Sequence, residues 1–209
     1  MGSDQTKFAA LIRHIGGDLI SEDEVEALAV ASRLRHFEKG ETIIAEGEVP
    51  SELFILVSGV VRGYLLDASG KEVTDCVLGT PGMVAMPYAR LDAPSPSCVQ
   101  ALSTTVLLAV DMSCIDSLLK SSLGLNKLYI SILQDAWEMH WEVERISRQC
   151  AARERYLWFL EKYPGMEEVV PARHIASFLG MTPVTLSRLR AALREEGSDP
   201  SGGVIRPGE

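Results

Sequence analysis

Apolar and polar positions along this chain change period three times. Residues 4–36 carry helical spacing, and "SEDEVEALAVASRLR" opens with Ser21 followed three positions on by Glu24, the signature of a helix capping box. From Phe37 the period shortens. "FEKGETIIAEGEVPSELFILVSGVVRGYLLDASGKEVTDCVLGTPGMVA" is a series of short alternating runs, broken by turn pairs at Lys39-Gly40, Glu46-Gly47, Ser58-Gly59 and Pro81-Gly82. "CVQALSTTVLLAVD" adds a strand pair, and "MSCIDSLLKSSL" returns to helix. Short strands at this spacing predict a β-roll or jelly roll.

Over residues 123–150 the period is that of a long helix. Leu125, Tyr129, Ile132, Ala136, Met139, Val143, Ile146 and Cys150 recur at alternating four- and three-residue steps, a heptad seam. Leu133, Trp137, His140 and Trp141 form a second apolar flank. A helix about 40 Å long with two apolar stripes needs two covering surfaces. One is the β domain, and the other is expected to be a second copy of the chain. The seam from Leu125 to Cys150 is assigned to the homodimer contact.

Beyond it, "ARERYLWFLEKYP" reads as an amphipathic helix stopped by Pro164-Gly165, "VVP" as an extended link, and "ARHIASFLG" and "TPVTLSRLRAALREE" as two helices joined by a tight turn. Ile175, Ala176, Leu179, Met181, Leu186 and Leu189 fall at the core positions of a helix-turn-helix, with Gly180 in its turn. Thr182 is placed as N-cap and Pro183 as the first helical residue. The tail "GSDPSGGVIRPGE" has room for one short hairpin at most.

Charge sharpens this picture. Residues 1–149 hold 12 Lys/Arg against 21 Asp/Glu, whereas residues 150–209 hold eight of each. Residues 169–194 contain Arg173, Arg188, Arg190 and Arg194 and no acid. An acidic body with one basic patch suits a specific contact with a polyanion. The second helix of the pair presents Val184, Thr185, Ser187 and Arg188 near its N-terminal end, the end that enters a DNA major groove. Arg188 has the reach and the fork to bind guanine O6 and N7. Thr182, Thr185, Arg173 and Arg190 suit phosphate oxygens.

Other chemistry is thin. The four cysteines (76, 98, 114 and 150) are widely spaced with no CxxC pair, which reads as free thiols and no metal site. No Ser/His/Asp set, paired carboxylates or phosphate-binding glycine loop points to an enzyme. No apolar run is long enough to span a bilayer. The N-terminus lacks a basic head followed by an apolar block, so a cytoplasmic protein without a membrane partner is expected.

These pieces together resemble the Crp/Fnr superfamily of bacterial transcription regulators. The resemblance is carried by "KGETIIAEGEVPSELFILVSGVVRGY", the heptad helix and "VPARHIASFLGMTPVTLSRLR". The phrase from Glu154 to Arg190 is similar to a subgroup common in Bacteroidetes-type bacteria. The implied fold is α+β: a double-stranded β-roll of cyclic-nucleotide-binding type (1–122), a dimerisation helix (123–150) and a winged helix-turn-helix (151–209). The implied function is a homodimeric regulator of a palindromic DNA operator, with RNA polymerase as a further partner and a small-molecule effector. The alternatives are a β-roll module working through protein contacts, or a cyclic-nucleotide responder with a non-standard pocket.

Nucleotide-binding members of that superfamily carry a Gly-Glu-Leu turn and, about ten residues on, Arg-Ser/Thr-Ala. Here the turn is Gly82-Met83-Val84 and the later stretch is "APSPSCVQA". The acid for the ribose and the arginine for the phosphate are missing, and a buried phosphate without a charged partner is costly. The effector is therefore expected not to be cyclic AMP. Its pocket is expected along Met83, Met86, Tyr88, Arg90, Trp137 and Trp141. The superfamily's iron–sulfur branch uses an N-terminal cysteine cluster that this chain lacks, and His140, a candidate haem ligand with Cys98, reads as a structural histidine on a helix flank. No cofactor is expected.

Overall fold

The capping box forms as the sequence requires. Glu24 N–H donates to Ser21 Oγ at 3.3 Å and Ser21 N–H to Glu24 Oε2 at 2.6 Å, starting α2 (Glu22–Val30) after α1 (Ser3–Gly16). The structure, a computed structural model, describes residues 3–86 and 90–198. The chain divides into two units, Met1–Glu144 and Arg145–Glu209.

The helical N-terminal segment ends sooner than its pattern suggests. Residues 32–36, read as helix, belong to β1 (Ser32–Phe37). β1 pairs along its whole length with β8 (Thr105–Asp111). Its Arg33 and Arg35 side chains converge on Glu52, at 2.9 and 2.8 Å. A cross-strand ladder with an ion pair outweighs the weak local helix preference.

The strands β2 (Thr42–Ile44), β3 (Glu52–Ser58), β4 (Val61–Leu66), β5 (Glu72–Leu78), β6 (Val84–Ala85) and β7 (Cys98–Ala101) complete two antiparallel four-stranded sheets. Their orders are β1-β8-β3-β6 and β2-β7-β4-β5. Alternation along the strands separates two cores. Phe54, Leu56, Val61, Leu107 and Ala109 fill the space between the sheets. Ile55, Leu108 and Val110 point the other way, beneath α1, α2, α3 (Met112–Ser121) and the start of α4 (Leu123–Gln149). Gly124 makes that start possible: a Cβ there would lie 1.8 Å from the Leu19 carbonyl oxygen.

One charged side chain is folded into the sandwich. Arg62 on β4 is 1% exposed. It donates to Gln100 Oε1 and Thr74 Oγ1, pairs with Glu72, and stacks 4.3 Å from the Tyr64 ring centroid. Each of its charge-bearing nitrogens is thus compensated where water is absent.

The second unit holds α5 (Ala152–Lys162), α6 (Met166–Val169), α7 (Ala172–Phe178) and α8 (Pro183–Ser198). Pro164-Gly165 ends α5 as expected, with Gly165 in the left-handed region at φ 76°. The "VVP" link is less extended than its composition suggests, because Val169 closes α6 before Val170 and Pro171 run out. Trp158, Phe159, Tyr163 and Phe178 stack edge and face as its aromatic core, with centroids 5.2–6.2 Å apart. The tail from 199 on, where a wing is expected, lies outside the described residues.

Candidate nucleic-acid interface

α7 and α8 are set by the residues that the spacing selects. Ile175, Ala176, Leu179 and Leu186 are buried, while Met181, Leu189 and Leu193 are half-buried. Gly180 sits at φ 61° in the turn, a conformation that side chains with a Cβ adopt at a cost. Thr182 then caps α8: its Oγ1 accepts the Thr185 N–H at 3.1 Å and lies 2.9 Å from Thr185 Oγ1. Pro183 has no N–H, Thr185 N–H is taken by the cap and Leu186 N–H by the Thr182 carbonyl at 3.1 Å, so the Val184 amide is the first-turn donor left to face an anion.

Val184, Ser187 and Arg188 are exposed together on the side of α8 opposite Leu186, and Thr185 is half-buried beside them. Arg173, on α7, is exposed, with its Nε donating to His174 Nε2 at 3.2 Å. Arg190 departs from expectation. Two residues after Arg188, it is turned about 200° round the helix and faces into the unit. Its Nε donates to Tyr156 Oη at 3.0 Å, its guanidinium lies 5.7 Å from the Tyr156 ring centroid, and Glu167 is 3.8 Å away. Tyr156 in turn donates to Glu167 at 2.6 Å. Burial and the Glu167 bond raise the Tyr156 phenol above its ordinary pKa. Arg190 thus fastens α8 to α5 and α6. Tyr156 and Glu167 escape sequence reading because nothing local marks a buried polar relay.

Helix α4 also departs from expectation. The heptad seam is covered by its own chain along much of its first unit. Leu125 is buried in the core beneath the helices, Ile132 packs on that core, and Met139 packs on the core between the sheets. Tyr129 lies with Ile132 beside the first of these cores. Ala136, Val143 and Cys150 are half-buried, and Ile146 is buried. The stripe left open is the opposite one: Leu123, Ile130, Trp137 and Trp141, exposed by 72, 52, 71 and 62%. Leu123, Ile130 and Trp137 recur at strict heptad spacing, a signal the sequence carries but the stronger seam masks.

The expected effector pocket does not assemble as one site. Met86 and Arg90 line a cavity of about 20 Å³ with Glu52, Ser95 and Met112. Met83 packs against the inter-sheet core. Trp137 and Trp141 stand on the open stripe and line no part of it, and Tyr88 lies outside the described residues. In the stretch "APSPSCVQA", buried Ser95 donates its hydroxyl to the Ser97 carbonyl at 2.5 Å and accepts the Ser97 N–H at 3.3 Å. Among the described residues no three His, Cys, Asp or Glu side chains gather as a metal-binding set, and no helix is long and apolar enough to cross a membrane.

Residues 34–122 match the cyclic nucleotide-binding domain family. The anaerobic regulatory protein of Pasteurella multocida is 22% identical over 191 residues, 85% of this chain and 69% of that protein. Among solved structures, FixK2 from Bradyrhizobium japonicum is similar with a TM-score of 0.70 and 21% identity, covering 83% of this chain and 89% of that one. The c-di-GMP-responsive global regulator CLP of Xanthomonas campestris is similar with a TM-score of 0.68 and 14% identity, over 88% of this chain and 96% of that one.

Proposed function

We propose that this chain is a transcription regulator of Crp/Fnr type, a reading supported by its cyclic nucleotide-binding domain match and its likeness to such regulators, and that it acts as a homodimer that binds a palindromic DNA operator through α8. Residues 1–122 are the sensor, 123–150 the dimer helix and 151–209 the DNA-binding domain. The observation that carries this reading is the exposed row Val184, Ser187 and Arg188 behind the Thr182 cap, in a stretch without acids. In a major groove, Arg188 reads a guanine edge, Thr182 and Thr185 meet phosphate at the helix N-terminus, and Arg173 meets the backbone. Arg190 positions the helix and touches no DNA.

The dimer forms through Leu123, Ile130, Trp137 and Trp141 rather than through the Leu125–Cys150 seam, because Leu125, Ile132 and Met139 of that seam already pack on the chain's own cores. Two such units on a two-fold axis place half-site centres about 34–36 Å apart. RNA polymerase is the partner that a DNA-bound regulator of this class engages. The effector is not cyclic AMP: the acid and the arginine that would hold its ribose and phosphate are absent from Gly82-Met83-Val84 and from "APSPSCVQA", and a buried phosphate without a charged partner is costly.

The test is binding to a selected and a scrambled duplex over a salt series. On a palindromic operator the dimer carries Arg188 twice, so Arg188→Ala removes two bidentate base contacts, each worth about 1–3 kcal/mol of discrimination, and the specific-to-scrambled ratio falls by at least about 30-fold. Arg173→Ala, which removes one phosphate contact from each protomer of the dimer, weakens both duplexes alike and lowers the salt slope by about two units. An unchanged ratio for Arg188→Ala refutes this docking.

A further inference from the structure

One void among the described residues of the first unit is not between the sheets. It lies on the helical side of the sheet β1-β8-β3-β6, a cavity of about 70 Å³ enclosed by α1, α2, α3 and the first half of α4. Ile12, Leu28, Val110, Ile115 and Leu128 typify its wall, and every lining side chain is aliphatic except Tyr129. Cores of this kind pack densely and keep few voids larger than a water. This one exceeds several times the roughly 10–15 Å³ that a water needs. Water gains nothing there, because a buried water wants two to four polar partners and the wall supplies one hydroxyl. Ile15, Leu119, Tyr129 and Ile132 are only partly buried, so one side of the wall reaches the surface.

We propose that this cavity is a binding site for an uncharged molecule with a short alkyl chain, the chain inserted among the aliphatic side chains and its polar end at the Tyr129 hydroxyl. The wall offers no group to neutralise a charge, and burying an unpaired charge is prohibitive. An anion is further disfavoured at the Tyr129 end. Burial and then the nearby Asp92 carboxylate raise the phenol above its ordinary pKa, and the same negative field repels a second anion. Leu125, Leu128, Tyr129 and Ile132 all belong to α4, so an occupant packs directly on the helix that carries the open dimer stripe. The site is separate from the β-roll interior, where Phe54, Leu56 and Leu107 face the opposite sheet. Its role as the regulator's effector site rests on the DNA-binding reading above; its occupancy does not.

The test uses the full chain with methyl-labelled Ile, Leu and Val, titrated with straight-chain alkanols from propanol to octanol. We expect saturable shifts at the Ile12, Leu28 and Ile115 methyls. Affinity should tighten about four-fold per added methylene, the equivalent of about 0.8 kcal/mol, and level off once the cavity is full. Alkylammonium ions of the same length should bind at least ten-fold more weakly. Leu128→Ala should move the plateau to longer chains, and Leu128→Phe should abolish saturation. Should the larger side chain fail to fold, the Leu128→Ala titration decides alone. Shifts that never saturate, equal binding of the alkylammonium series, or a plateau unmoved in folded Leu128→Ala overturn the proposal. Operator binding with and without octanol then tests the effector role separately.

Discussion

Replacing Trp137 and Trp141 together by alanine should convert the protein to monomers without unfolding it. The two indoles stand one helical turn apart and are 71 and 62% exposed. A tryptophan contributes up to about 250 Å², so the pair leaves about 330 Å² of apolar surface in water. At about 25 cal/mol per Å², covering it fully is worth roughly 8 kcal/mol per protomer as an upper bound. Association and ordering costs consume much of that. The hot-spot scale of about 2 kcal/mol per truncated tryptophan is the safer figure. A two-fold interface contains each residue twice, so four truncations cost about 8 kcal/mol. That moves a nanomolar dimer to about millimolar. Light scattering or sedimentation at micromolar concentration reads the change, and far-UV circular dichroism checks the fold. Met139→Asp is the control. Met139 packs on the inter-sheet core, so a carboxylate there should lower the melting temperature and leave folded molecules dimeric. A double alanine variant that stays dimeric at micromolar concentration, with Met139→Asp giving folded monomers, refutes the assignment of the two stripes.

Two further outcomes follow from burial. Leu186, fully buried on α8, should cost about 2–5 kcal/mol when cut to alanine, read as a lower denaturant midpoint together with lost DNA binding. Stability should also fall at alkaline pH. Burial, then the bond to Cys98, raises the Tyr64 phenol to about 12, and burial, then Asp75, raises the Cys76 thiol to about 12. Both groups keep their protons in the folded state after the unfolded chain has lost them. Their contribution is therefore whole below about pH 9 and lost as pH rises through about 12. Denaturant midpoints between pH 8 and 12 check this, and Cys76→Ala should flatten the lower part of the fall.

Local rules in the sequence determined a good deal. The Ser21 capping box, the strand punctuation, the Pro164-Gly165 stop and the helix-turn-helix spacing each depend on a few neighbouring residues, and each is found in place. So is the Thr182 cap with Gly180 at positive φ, since backbone sterics and orphan amides act over three or four positions. The exposure of Arg188 was legible for the same reason: the core face of α8 is unambiguous and Arg188 lies off it. The family resemblance and the missing phosphate-binding pair were legible as well. Only the tertiary structure decided which of two apolar stripes on α4 is covered, because periodicity counts stripes but does not say what packs on each. Tertiary contacts turned Arg190 inward to Tyr156 and Glu167, drew residues 32–36 into a ladder with β8, and separated Trp137 and Trp141 from Met86 and Arg90. They also left an aliphatic void beside α4, whose walls come from positions more than a hundred residues apart. The physical reason is common to all of these. Burial is a property of surfaces brought together from distant parts of the chain, and no local pattern encodes which distant surface arrives.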